Sequence, residues 1–150
     1  MMRLYPNAHF KSFLLNALII IIAFGYALIM GWLLFYRNRY FGEGYSYNIV
    51  PFYTIKKYII HYDHFNFETW FKNLFGNVVL FIPIGVFLPL LNKKYRSVLR
   101  LTAATIMLIT IVEAAQMVTR LGSFDIDDII LNTFGALIGL LMLRAAVRPV

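Results

Sequence analysis

The sequence predicts an all-α, polytopic integral membrane protein with about four transmembrane helices. Three observations predict it. Of 150 residues, 61% are hydrophobic and 14% charged, against roughly 25% charged in an ordinary soluble domain. Mean hydropathy is +0.71. The apolar residues gather into four runs of about 18 to 25 residues, long enough to cross a bilayer core as helices. A soluble fold of this length has too little interior to hide them, and lipid is their natural solvent. The length suits a single domain, 1–150.

The first run, 12–36, carries no charge. Arg3 and Lys11 precede it as they would in a signal peptide. The apolar character continues through Trp32 to Phe35 with no polar cleavage region, so we read an uncleaved anchor. The segment 37–73 is aromatic-rich and charged, a mixture suited to the membrane–water interface. A short interfacial helix is expected around 55–62. The second run, 74–91, contains Pro83, Gly85 and Pro89. Proline is tolerated in membrane helices where neighbours satisfy the freed carbonyls. The third, 101–119, is interrupted by Glu113 and Gln116. The fourth, 126–143, opens on Asp127 and Asp128.

Charge excludes some functions and orients the chain. The net charge of +7 does not point to nucleic acid, because the basic residues lie between the apolar runs. There they set topology and meet anionic lipid. Without cysteine there is neither a disulfide frame nor a thiolate metal site. With four spans, Arg3, Lys11, Lys93, Lys94, Arg96, Arg100, Arg144 and Arg148 share one side. Arg37, Arg39, Lys56, Lys57, Lys72 and Arg120 share the other. The four cations of 92–100 are the densest group, so both termini are expected in the cytoplasm.

This topology makes the polar residues converge. Asn77, Glu113, Gln116, Asp125, Asp127, Asp128 and Asn132 all fall toward one membrane face, beside Asn48 and Pro51. Reversing the protein would change the face and keep the convergence. Glu113, Gln116 and Arg120 are spaced i, i+3, i+7 and share a helical stripe. Arg120 is expected to reach Glu113 or an Asp of the fourth span. An intramembrane ionisable residue costs at least ~2.5–3.5 kcal/mol on insertion scales, so Glu113 is expected to face inward with a partner.

Each residue has a plainer reading. Glu113 and Gln116 can act as interhelical hydrogen-bonding groups. Asp125 fits a helix N-cap, with Asp127 and Asp128 meeting the positive end of the helix dipole. Gly135 and Gly139 form a small-xxx-small packing pair. His61 and His64, with Asp63 between them, read as interfacial histidines rather than metal ligands.

The blocks Asn48-Ile-Val-Pro51-Phe52, Gly76-Asn77 through Phe81-Ile-Pro83-Ile-Gly85, Glu113-Ala-Ala-Gln116, Arg120, and Asp125-Ile-Asp127-Asp128 leading to Asn132-Thr-Phe-Gly135 resemble the VanZ-like family in order and spacing. The resemblance covers about 48–143. It implies a small multi-helix membrane protein of the bacterial cell envelope, associated with resistance to teicoplanin, a lipid-bearing glycopeptide antibiotic. It brings no catalytic residues with it.

Three functions compete. The first is a binding protein. Its outward polar pocket of Asn48, Asn77, Glu113, Gln116, Arg120, Asp127, Asp128 and Asn132 would hold a lipid-linked or drug headgroup, with Pro51, Pro83, Gly85, Asp125, Gly135 and Gly139 structural. Its partners would be membrane lipids and a lipid-linked cell-wall precursor or lipoglycopeptide, with an oligomer open. The second is a metal-assisted hydrolase of a lipid-linked envelope substrate, with a divalent cation at Glu113, Asp127 and Asp128. No glycine-rich phosphate loop, Gly-x-Ser-x-Gly elbow or His-Glu-x-x-His supports it. The third is a structural membrane scaffold.

Overall fold

The computed structural model describes residues 13–36 and 44–147. The basic residues Arg3, Lys11, Arg37, Arg39 and Arg148 lie outside them. In order, the chain forms α1 (Phe13–Phe35), a two-residue strand β1 (Tyr47–Asn48), α2 (Tyr53–Ile60), α3 (Phe67–Phe71), α4 (Asn77–Leu91), α5 (Val98–Val118), β2 (Phe124–Asp125) and α6 (Ile126–Ala146). Among the described residues four helical stretches are long and apolar enough to cross a membrane: Asn16–Phe35, Phe67–Leu91, Val98–Val118 and Ile126–Ala146.

The second span is longer than the apolar run suggested. Lys72 and Asn73 end that run in the sequence, yet the helix continues through them. Lys72 pairs with Glu68 one turn earlier, and the Asn73 side chain donates to the Thr69 carbonyl at 2.7 Å. A π-helical turn, Lys72–Gly76, joins α3 to α4. Asn66 starts this stretch, its side-chain oxygen accepting from Thr69 N–H at 2.7 Å. Of the segment read as interfacial, 37–43 lies outside the described residues, and 67–73 belongs to the second span. What remains holds α2, set slightly earlier than expected, and a 3₁₀ turn, Tyr62–His64.

Packing centres on α4 and α6, which lie side by side and run parallel. Glycine permits the contact. A Cβ on Gly135 would stand 2.1 Å from the Val78 carbonyl oxygen, one on Gly139 2.0 Å from that of Ile82, and one on Gly85 1.8 Å from that of Ala136. The backbones touch, as small residues allow when no hydrophobic force draws helices together in lipid. Gly135 and Gly139 both face α4 at this contact, and Gly85 supplies the matching recess on α4.

α5 runs antiparallel to α6. Its buried stripe Leu101, Thr105, Ile109 and Glu113 repeats every four residues. At the far end of this pair the Arg144 guanidinium donates to the Arg96 carbonyl at 2.6 Å. α1 is the most peripheral span. Tyr26 donates its hydroxyl to the Leu80 carbonyl of α4. The Gln116 side-chain N–H₂ donates at 2.6 Å to the Leu34 carbonyl, one of the acceptors that a helix end leaves without an internal donor.

Candidate functional site at one end of the bundle

The loop after α5 and the segment before α2 meet as a short parallel ladder, Tyr47 opposite Phe124 and Asn48 opposite Asp125. This ladder brings distant motif residues within hydrogen-bonding reach. Asp125 caps α6, its Oδ1 accepting from Asp127 N–H at 2.9 Å. The same carboxylate accepts from the Asn48 side chain at 3.1 Å and from the Thr54 hydroxyl at 2.6 Å. Its own backbone N–H donates to Glu113 Oε2 at 3.0 Å. Glu113 is 4% exposed, and its partner is therefore a peptide group rather than a cation.

Asp127 is fully buried and caps a helix other than its own. Its two oxygens accept from Phe52 N–H at 2.5 Å and Ile55 N–H at 3.0 Å. These are amides of the first turn of α2, which no intrahelical carbonyl can satisfy. Phe52 holds φ 65°, a left-handed conformation unusual for an aromatic residue, and the Asp127 bond fixes it there. Asn48 supports the turn by accepting from Val50 N–H at 3.1 Å. Pro51 lies exposed between them. On the next face of α6, Asn77 donates its side-chain N–H to Asp128 Oδ1. Asn132, one turn below Asp128, is 3% exposed, and its side-chain oxygen meets no donor among the described residues.

A family model described as VanZ/LLP1 matches residues 13–147. This chain belongs to that family. One relative is Protein VanZ of Enterococcus faecium, 27% identical over 117 residues, which are 77% of this chain and 66% of the relative. The chain thus spans just under two thirds of that relative's length. No solved structure matches.

In this VanZ/LLP1 member the expected convergence is realised. Asn48, Asn77, Glu113, Asp125, Asp127 and Asp128 join one connected region, with Gln116 tying α1 to it. Arg120 departs from expectation. α5 ends at Val118, and Arg120 takes φ 58° just beyond the helix cap Thr119. Its N–H donates to the Met117 carbonyl at 3.0 Å and that of Leu121 to the Gln116 carbonyl at 2.9 Å, the hydrogen-bond pair of a Schellman ending. The chain turns away there, so Arg120 leaves the stripe of Glu113 and Gln116. Its guanidinium lies 5.2 Å from the centre of the exposed Tyr45 ring. The left-handed position favours glycine. Arg120→Gly is therefore expected to keep stability or raise it slightly, by up to about 1 kcal/mol, read as the thermal midpoint in detergent. A fall of several degrees would show instead that the guanidinium holds the fold.

The proposed cation set fits poorly. Asp127 gives both oxygens to backbone amides, and the described residues contain no group of three His, Cys, Asp or Glu placed to hold a metal ion. His61 and His64 meet edge to face with ring centres 5.7 Å apart, and His64 Nδ1 lies 2.9 Å from Asp63 Oδ1 at the exposed surface. That contact holds the Asp63 carboxyl below its usual range.

Four participants carried no signal of their role in the sequence: Thr54, the backbone amides of Phe52 and Ile55, and Tyr58. Burial raises the Tyr58 hydroxyl pKa, and the nearby carboxylates of Asp128 and Asp125 raise it further. A hydroxyl three residues after proline, or a tyrosine in an aromatic-rich segment, is too common to single out.

Proposed function

We propose that this VanZ/LLP1 member acts in the bacterial cell envelope, where it reduces susceptibility to lipid-bearing glycopeptides such as teicoplanin. In this reading the polar end of the bundle faces outward and receives the headgroup of the drug or of a lipid-linked cell-wall precursor. One observation carries it. Among the described residues, Glu113 Oε1 and Asp128 Oδ2 accept no hydrogen bond, while every other carboxylate oxygen of the cluster accepts at least one. Two uncommitted acceptors suit an amine, and the exposed Arg120 at the same end suits a carboxylate or phosphate. A tailed drug shares the bilayer with the site, whereas vancomycin does not.

The test is the inhibitory concentration of teicoplanin and vancomycin in a susceptible Gram-positive host expressing the chain, Glu113→Gln or Asp128→Asn at matched membrane levels. Wild type is expected to raise the teicoplanin value several-fold and leave vancomycin unchanged, and both variants to lose most of that rise. Each variant keeps a carbonyl acceptor for its observed partner and removes the charge. Equal protection against both drugs would sink the reading. The second reading, a structural scaffold, draws on the number of cluster oxygens engaged within the protein. It predicts protection that survives both substitutions.

A further inference from the structure

Between α1, α4 and α5 runs an apolar furrow of about 310 Å³, lined by Ala23, Ala27 and Gly31 on one side and by Phe87, Leu91 and Val112 among others on the opposite sides. Gly31 does not serve helix packing here: a Cβ on it would meet nothing within 4 Å. From Ala23 to Leu34 the furrow follows α1 for roughly 17 Å at 1.5 Å per residue. Its volume and its apolar lining suit a slender hydrocarbon chain lying along α1. It opens on the lipid-facing surface of the spanning helices, where hydrocarbon is the surrounding solvent.

The two ends differ. Near Leu34 lies the polar cluster. At the other end Leu91 leads within two residues into the 3₁₀ turn Lys93–Arg96, where Lys93 and Lys94 are exposed and Lys94 Nζ rests 4.7 Å from the Tyr95 ring centre. The stretch 92–100 contains four cations and no acid. Arg144 joins them from the end of α6. A positive patch just beyond the Leu91 end of an apolar furrow matches a molecule with a phosphate head and a hydrocarbon tail.

We propose that the furrow binds an acyl chain of an anionic phospholipid whose phosphate rests on Lys93 and Lys94. The phosphate end of this site lies opposite the polar cluster, and the proposal does not depend on the antibiotic reading.

The test uses the full chain in phosphatidylcholine nanodiscs doped with phosphatidylglycerol or phosphatidylcholine carrying an acyl-chain diazirine. After photolysis, labelling is read by peptide mass spectrometry at Val112 in the furrow and at Met107, a lipid-facing residue of α5 that is 64% exposed. Phosphatidylglycerol is expected to label Val112 roughly thirtyfold more than phosphatidylcholine does, given two cations near the headgroup. Lys93→Gln with Lys94→Gln should erase that preference. Gly31→Phe should lower labelling at Val112 to the level at Met107, and leave Met107 unchanged. Ala27→Leu fills the same space from a neighbouring turn and guards against a local misfolding at Gly31. Equal labelling by the two lipids, or labelling at Val112 that survives both fillings, would overturn the proposal.

Discussion

Gly139→Ala is expected to unfold the bundle, while Gly25→Ala is expected to leave it intact. The two substitutions add the same methyl group to membrane-spanning helices. At Gly139 the new carbon would lie 2.0 Å from the Ile82 carbonyl oxygen and 3.1 Å from Gly85 Cα. At Gly25 it would meet nothing within 4 Å. The obstacle at Gly139 is backbone, which has no rotamer to escape into. Relief requires α4 and α6 to separate by roughly 1 Å along their shared length, which loosens every contact packed at interior density. Overpacking usually costs about 1–3 kcal/mol and occasionally more. With backbone as the obstacle we expect about 3 kcal/mol or more. The readout is the monodisperse fraction in detergent and its thermal midpoint. A Gly139→Ala protein as stable as wild type would contradict the parallel α4–α6 contact.

Asp127→Ala is expected to detach α2 from the bundle while the spanning helices stay folded. The carboxylate serves two amides of a helix start that have no other acceptor. Hydrogen bonds to a charged partner contribute about 1.5–3 kcal/mol each, and a lost helix cap alone costs about 0.5–2 kcal/mol. The left-handed Phe52 loses its anchor at the same time. Hydrogen exchange should therefore accelerate by two orders of magnitude or more over 52–60, with exchange in α4 and α6 unchanged. Asp127→Asn keeps one good acceptor and should fall between. If amides 52–60 stay protected in Asp127→Ala, the cross-helix cap does not hold the segment. This outcome also bears on activity. A loss of protection by Asp127 variants would follow from the detached segment, so Glu113 and Asp128 are the informative positions for headgroup binding.

Much of this was legible along the chain because the bilayer imposes one simple requirement. A spanning segment must be apolar and must satisfy its backbone internally. Composition and run length therefore determined the helical class and the four spans. Helix direction alternates from span to span, so the placement of Asn77, Glu113 and Asp125–Asp128 along their runs determined that they gather at one end. The cap at Asp125 and the packing role of Gly135 and Gly139 followed from local rules of the same kind. The tertiary structure decided who pairs with whom. Lys72 and Asn73 looked like the end of a run, but Glu68 and the Thr69 carbonyl absorb them, and the span begins at Phe67. Arg120 fell on the helical stripe of Glu113 by count, but α5 stops before it, and a left-handed residue turns it toward Tyr45. Asp127 read equally as ligand or dipole partner, because its acceptors' donors sit 75 and 72 residues away. Periodicity reports which face a residue occupies on its own helix. It carries no record of which backbone amides, freed at another helix's end, will be waiting opposite.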